Sequence, residues 1–245
     1  MLAILGGSGL THLGNMEGAR REIVRTPYGE PSGPLTIGQI CSKPTIFLAR
    51  HGYGHTIPPH EVNYRANIWA LREKGAGAII AVASVGGIRA DLKPGDIVIP
   101  DQIVDYTWGR RSTFHEGENS TVTHVDFTDP YDAGLRGVIL DAARSAGVAV
   151  KSGATYATTQ GPRLETAAEI RRLERDGCDV VGMTGMPEAA LAREAGLPYA
   201  AINVIANYAA GKGDSAHGIH FDAINAVLEE TMAKVRVILE RLAGC

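Results

Sequence analysis

The chain has 245 residues and a formal net charge of −3, with 24 Lys and Arg against 27 Asp and Glu, so it lacks the basic excess that a nucleic-acid partner requires. Its longest apolar stretches, such as Ala76 to Val85, fall well short of a bilayer span, and its N-terminus lacks the basic region and apolar core of a signal peptide. One domain over residues 1–245, cytoplasmic, with a small molecule as partner and neither nucleic acid nor membrane, is the expectation.

Predicted strands are Leu2–Leu5, Leu35–Ile40, Thr45–Ala49, Ala78–Ala83, Asp96–Ile99, Gly153–Thr159, Asp179–Met183 and Tyr199–Val204. Several are apolar on consecutive residues, which argues for burial on both faces. Helical spacing covers Asn63–Lys74, Leu135–Ala146, Glu165–Arg175 and Pro187–Ala195. A final helix carries Phe221, Ile224, Leu228, Val235, Leu239 and Leu242 as one apolar stripe. The alternation predicts an α/β fold, a central mixed β-sheet flanked by helices. Cys41, Cys178 and Cys245 have neither metal nor redox spacing and are expected as unpaired thiols.

Ligands in such folds gather past strand ends, and polar residues or glycines follow several of these strands. Gly6-Gly7-Ser8-Gly9 follows the first and Arg50-His51 the third. Ser84-Val85-Gly86-Gly87, Thr184-Gly185 and Ala206-Asn207-Tyr208 follow others. Uncrowded backbone N–H groups, a hydroxyl, a guanidinium fork at the surface and an imidazole make an anion site. The Gly-Lys-Ser/Thr ending of a P-loop is missing, as is the spacing of G-x-G-x-x-G, so small phosphate is the expected anion. Singly, the glycines also fit a tight turn, and Ser84 and Thr184 fit capping hydroxyls. His51, His55 and His60 are closely spaced, with His115 and His124 downstream. Gly52, Gly54, Pro58 and Pro59 bar the single helix that would align His51 with His55, so no metal and no other cofactor is expected.

Read together, Ile4-Leu5-Gly6-Gly7-Ser8-Gly9-Leu10, Leu48-Ala49-Arg50-His51-Gly52, His55-Thr56-Ile57-x-Pro59 and Asn63 through Leu71 resemble the 5′-methylthioadenosine phosphorylases. Pro94 through Ile99, Gly161-Pro162-Arg163 and Met183-Thr184-x-x-Pro187-Glu188 extend the likeness across nearly the whole chain. The resemblance implies the trimeric purine nucleoside phosphorylase fold, a homotrimer or dimer of trimers, and attack of inorganic phosphate on C1′ of a purine nucleoside. It places phosphate against Ser8, Arg50, His51, Ala83 (through its backbone), Ser84 and Thr184. Met183 then lies against the ribose, and Asn207 and His51 are the expected catalytic residues.

One departure bears on the base. Those phosphorylases carry Asp-x-Asp where this chain has Asn207-Tyr208-Ala209. An Asn amide can donate toward N7 or O6, whereas an ionised Asp only accepts. Glu165, with Leu164 beside it, stands where 6-oxopurine nucleoside phosphorylases place the Glu that reads the base. Its carboxylate suits N1–H of hypoxanthine and repels the N1 lone pair of adenine. A helix-terminal acid and a turn Asn are the bland readings of the two residues.

Thr123-His124-Val125 resembles the methylthio-specific branch, in which a neighbouring subunit supplies a His near an apolar 5′ pocket. Methylthioinosine satisfies both halves of the argument. His217 and His220, in the region where inosine and guanosine enzymes place a His for the 5′-hydroxyl, keep ordinary inosine open. A nucleoside-binding regulator that has kept the fold without turnover is the alternative of another class.

Overall fold

A strand apolar at every position has to be covered on both faces. The computed structural model, which describes residues 1–117 and 120–245, shows this for β1 (Leu2–Gly6). It lies parallel to both β4 (Lys43–Ala49) and β5 (Ala78–Gly87). Ile4 faces one core layer, Ala3 and Leu5 the other. Helices α1 (Tyr64–Glu73) and α4 (Gly185–Glu194) cover the Ala3 side, and α2 (Ala133–Ser145) and α5 (Phe221–Leu242) cover the Ile4 side.

The described strands form one mixed sheet. β2 (Glu17–Glu22) and β3 (Leu35–Ile40) extend it beyond β4, while β10 (Val180–Gly182), β9 (Thr155–Thr158) and β7 (Gln102–Asp105) continue from β5. β11 (Tyr199–Tyr208) runs along β5, and β6 (Ile97–Ile99) and β8 (Lys151–Ser152) lie beyond β11. The α/β architecture with a mixed sheet is as the sequence predicts.

The bend of β5 positions the site. Its first half pairs with β1 as far as Ala81, while its end pairs antiparallel with β10 at Gly86 and Gly87. Between them that edge of β5 opens, and the glycine turn after β1 enters the gap. A Cβ on Gly7 would lie 2.6 Å from the Val82 carbonyl oxygen and 2.9 Å from Arg50 Nη1, so only glycine fits there.

β5 and β11 both run past their predicted ends, because each supplies the other with a ladder through Gly87 and Tyr208. Ser84 and Asn207 therefore sit on strands rather than after them. Glu165 precedes α3 (Ala167–Arg175) instead of opening it, since Thr166 caps that helix and forms a capping box with Glu169. The thiol expectation is corrected for two of the three cysteines. Cys41 and Cys245 are disulfide-bonded with Cα atoms 5.5 Å apart, and Cys178 is free and buried. The β3–β4 turn, with Cys41 at φ 46°, brings Cys41 to where α5 ends, a meeting across 204 residues that local spacing does not encode.

Candidate active site

A cavity of about 700 Å³ opens where β1, β5, β10 and β11 end, roofed by the first turns of α5. Ser8, Arg50, His51, Ala83, Ser84 and Thr184 line one part of it. Met183, Leu164, Glu165, Asn207 and Ala209 line the rest. Eleven of the residues expected at the site are thus brought together, while Tyr208, His124 and His220 are not.

Arg50 is the largest departure from expectation. Its fork is not at the surface: the side chain is 1% exposed, with Nε donating to Glu188 Oε2 at 2.6 Å and Nη2 to Glu188 Oε1 at 2.8 Å. Nη1 donates to the Val82 carbonyl at 3.1 Å, on the open edge of β5. Burial alone would pull the guanidinium pKa down, but the charge and hydrogen bonds of Glu188 more than offset it and hold Arg50 protonated. The fork reaches the cavity wall with two of its five N–H groups unassigned to these partners.

His51 is fixed by its neighbours too. Nδ1 lies 2.9 Å from the Ile57 carbonyl, which can only accept, so Nδ1 carries the proton and Nε2 presents a lone pair. Burial, followed by the charge of Arg50, pushes its pKa down to about 4. The ring is therefore neutral near pH 7 and serves as an acceptor, suited to a protonated phosphate oxygen or a sugar hydroxyl, rather than as a source of charge. Ser8 Oγ and His55 Nε2 lie 2.9 Å apart, and the His51 and His55 rings pack at a tilt of 42° with centroids 4.9 Å apart. The N–H of Thr184 is anchored on the Tyr156 hydroxyl at 3.3 Å.

At the other end, the Thr159 hydroxyl donates to Glu165 Oε1 at 2.6 Å and leaves Oε2 open as an acceptor. Asn207 Nδ2 donates one hydrogen to the Tyr208 carbonyl at 2.6 Å, so its second N–H remains available. Tyr208 itself packs against Gly213, where an added Cβ would meet its ring at 2.7 Å, and it points away from the cavity. His220 is the exposed N-cap residue of α5, and its neighbours Ile219 and Phe221 line the cavity in its place. His124 is exposed in the segment before α2.

Sequence reasoning missed His55 and the part played by α5. Phe221, Ile224 and Leu228 read as the start of a core stripe, but this first stretch roofs the cavity and leaves Phe221 65% exposed. Arg110 gave no signal at all, being one arginine in a loop.

Comparison with known proteins gives the family. The Phosphorylase superfamily matches over residues 1–243, and the chain belongs to that family. A probable S-methyl-5′-thioinosine phosphorylase of Xanthomonas campestris is 53% identical over 214 residues, covering 87% of this chain and 86% of that protein. A 6-oxopurine nucleoside phosphorylase of Pyrococcus furiosus is 46% identical, covering 100% of this chain and 96% of the other. Among solved structures, methylthioadenosine phosphorylase from Schistosoma mansoni in complex with adenine superposes with a TM-score of 0.93 at 33% identity, covering 99% of this chain and 90% of that one.

Proposed function

We propose that the protein catalyses phosphorolysis of S-methyl-5′-thioinosine to hypoxanthine and 5-methylthioribose 1-phosphate, with inorganic phosphate as co-substrate and no cofactor. A phosphate oxygen forms the new bond to C1′ as the bond to N9 breaks, and the electron pair leaves with the purine. Phosphate is already anionic at neutral pH, so the nucleophile needs orientation more than activation. Ser8, Arg50, His51, Ser84, Thr184 and the backbone at Ala83 are arranged to supply it. Negative charge builds on the departing base, and the free N–H of Asn207, aimed at N7, strengthens as it does so.

The observation that carries the base assignment is Glu165, whose Oε2 is left free to accept N1–H by the Thr159 bond to Oε1. At the 5′ end, Ile219, Phe221, Ile224 and Leu228 offer an apolar surface that favours a methylthio group over a hydroxyl. A homotrimer, or a dimer of trimers, completes this pocket with His124 of a neighbour. Val122, two residues before His124 and 75% exposed, adds apolar surface on the same segment for such a contact. No described helix is long and apolar enough to cross a membrane. Ordinary inosine phosphorolysis is the second reading, supported by the likeness to the Pyrococcus furiosus protein.

The test is a panel crossing 6-oxo or 6-amino purine with hydroxyl or methylthio at C5′, with and without phosphate. Phosphate-dependent release of hypoxanthine, fastest from methylthioinosine, is the expected result. Better cleavage of methylthioadenosine overturns the base assignment, and binding without base release makes the protein a nucleoside-binding regulator.

A further inference from the structure

Arg110 follows β7 and is partly buried, yet it forms no ion pair with any described carboxylate. Its partners are peptide carbonyls. Nη1 donates to Met183 at 2.8 Å and Met186 at 2.7 Å, and Nη2 donates to Gln160 at 2.8 Å and Thr159 at 3.3 Å. The Tyr64 hydroxyl, 3.2 Å from Nη1, passes its own hydrogen to the Pro59 carbonyl at 2.9 Å. One planar fork thus ties together three segments that each contribute to the cavity wall, those of Pro59, Glu165 and Met183.

Taking a cation out of water without a countercharge is costly, and a fold that needed only cohesion could place an apolar side chain here. What a guanidinium supplies is fixed angles between several acceptors. Thr159 shows why those angles matter. Its carbonyl accepts from Arg110, its N–H donates to the Gly182 carbonyl at 2.8 Å, and its hydroxyl holds Glu165 at 2.6 Å. Movement of the Arg110 fork is therefore passed to the carboxylate facing the base, and through the Met183 carbonyl to the strand end that carries Thr184. The charge of Arg110 also reaches His51, whose pKa it helps to lower.

We propose that Arg110 is a positioning residue that locks the base-reading loop to the segment bearing Met183 and Thr184, so that base and phosphate are held in one geometry. The choice of substrates for its test rests on the 6-oxopurine reading above. Arg110→Ala should lower kcat/KM for methylthioinosine by about 100-fold, the loss that a displacement of roughly 1 Å can cause. It should also narrow the preference for 6-oxo over 6-amino purines, because Glu165 is no longer fixed. Guanidinium chloride at low concentration should restore part of kcat, while sodium chloride at equal ionic strength should not. Arg110→Lys should keep the fold but recover little activity, since an ammonium lacks the planar fork; it carries the test if the alanine variant does not fold.

Hydrogen exchange gives a readout independent of turnover. The peptides 157–165 and 181–188 should lose protection together in either variant, with the rest of the chain unchanged. Unchanged base preference with unchanged exchange overturns the proposal, and so does a global loss of protection with no rescue by guanidinium. If the wild-type enzyme fails to cleave 6-oxopurine nucleosides, the substrate reading falls, and the paired exchange of the two peptides still decides the role of Arg110.

Discussion

Arg50 and Glu188 face each other as a bidentate pair, Nε to Oε2 at 2.6 Å, with both side chains 1% exposed. The Tyr199 hydroxyl donates to Oε1 of the same carboxylate at 2.8 Å, so Glu188 is held from two directions. An arginine read from sequence as a phosphate fork is therefore also the countercharge of a buried acid.

Arg50→Ala should consequently destabilise the fold as well as weaken phosphate binding. Removing one partner of a buried pair leaves an uncompensated charge and costs about 3–5 kcal/mol. Urea unfolding should show a midpoint well below wild type, and Glu188→Gln should be destabilised too, because it leaves the Arg50 guanidinium buried without its countercharge. In the double variant Arg50→Ala with Glu188→Gln the losses should be strongly non-additive. Wild-type stability for Arg50→Ala would mean that the pair contributes nothing to folding.

His51 makes stability depend on pH. Its folded pKa of about 4 lies below the ordinary 6.5, so between these values the unfolded chain binds more protons than the folded one. The stability associated with neutral His51 is present above pH 6.5 and is lost as pH falls toward 4. His51→Asn, which can still donate to Ile57, should show a smaller drop in denaturation midpoint over that range. An identical slope in the two proteins would mean that His51 is not held neutral.

The fold was legible where a strand is buried on both faces, because burial writes itself as an apolar run: β1, β4 and β11 are read in this way. β2, with the sequence Glu-Gly-Ala-Arg-Arg-Glu, is an almost wholly exposed edge strand and carries no such signal. The gathering of Ser8, Arg50, Ser84 and Thr184 at one cavity was legible because glycines and polar residues follow strands. The pairing of Arg50 with Glu188, 138 residues away, and the five acceptors gathered by Arg110 arise only from the closed sheet. No local pattern records them.

The bond between Cys41 and Cys245 should stabilise without touching catalysis. In the chain-entropy picture, closing a loop of this size is worth about 5 kcal/mol. Cys245→Ser, or reduction of the wild type, should lower Tm by several degrees. kcat/KM should stay within twofold, because the bond is at the far end of α5 from Phe221 and Leu228. Equal loss of activity would mean that the whole of α5 shifts when its end is released.

Subunit contact at the 5′ end is tested by His124→Ala. Activity on methylthioinosine should fall more than activity on inosine, since only the larger apolar substituent reaches the neighbour's loop. Sedimentation should show a trimer or a hexamer for both proteins. An unchanged ratio of the two substrates would place the 5′ pocket within a single chain.

Exchange of the base-reading residues is the most demanding test. Asn207→Asp adds an acceptor for the C6 amino group of adenine, but Glu165, held by Thr159, still opposes the adenine N1 lone pair. Alone, the substitution should gain little activity on methylthioadenosine. Adding Glu165→Ser removes the opposing carboxylate, a misplaced group worth about 1–3 kcal/mol, so the double variant should raise that activity by roughly ten- to a hundredfold. The third residue of the Asp-x-Asp stretch is better left alone. Ala209 is 1% exposed and packs beside Gly86, so an aspartate there would bury a new charge and blur the result. The measurement is a mutant cycle on kcat/KM with methylthioadenosine and methylthioinosine. Because both residues read one ring, the double variant should exceed the sum of the single effects. Strict additivity, or an unchanged base preference in the double variant, would show that Glu165 and Asn207 do not meet the purine together.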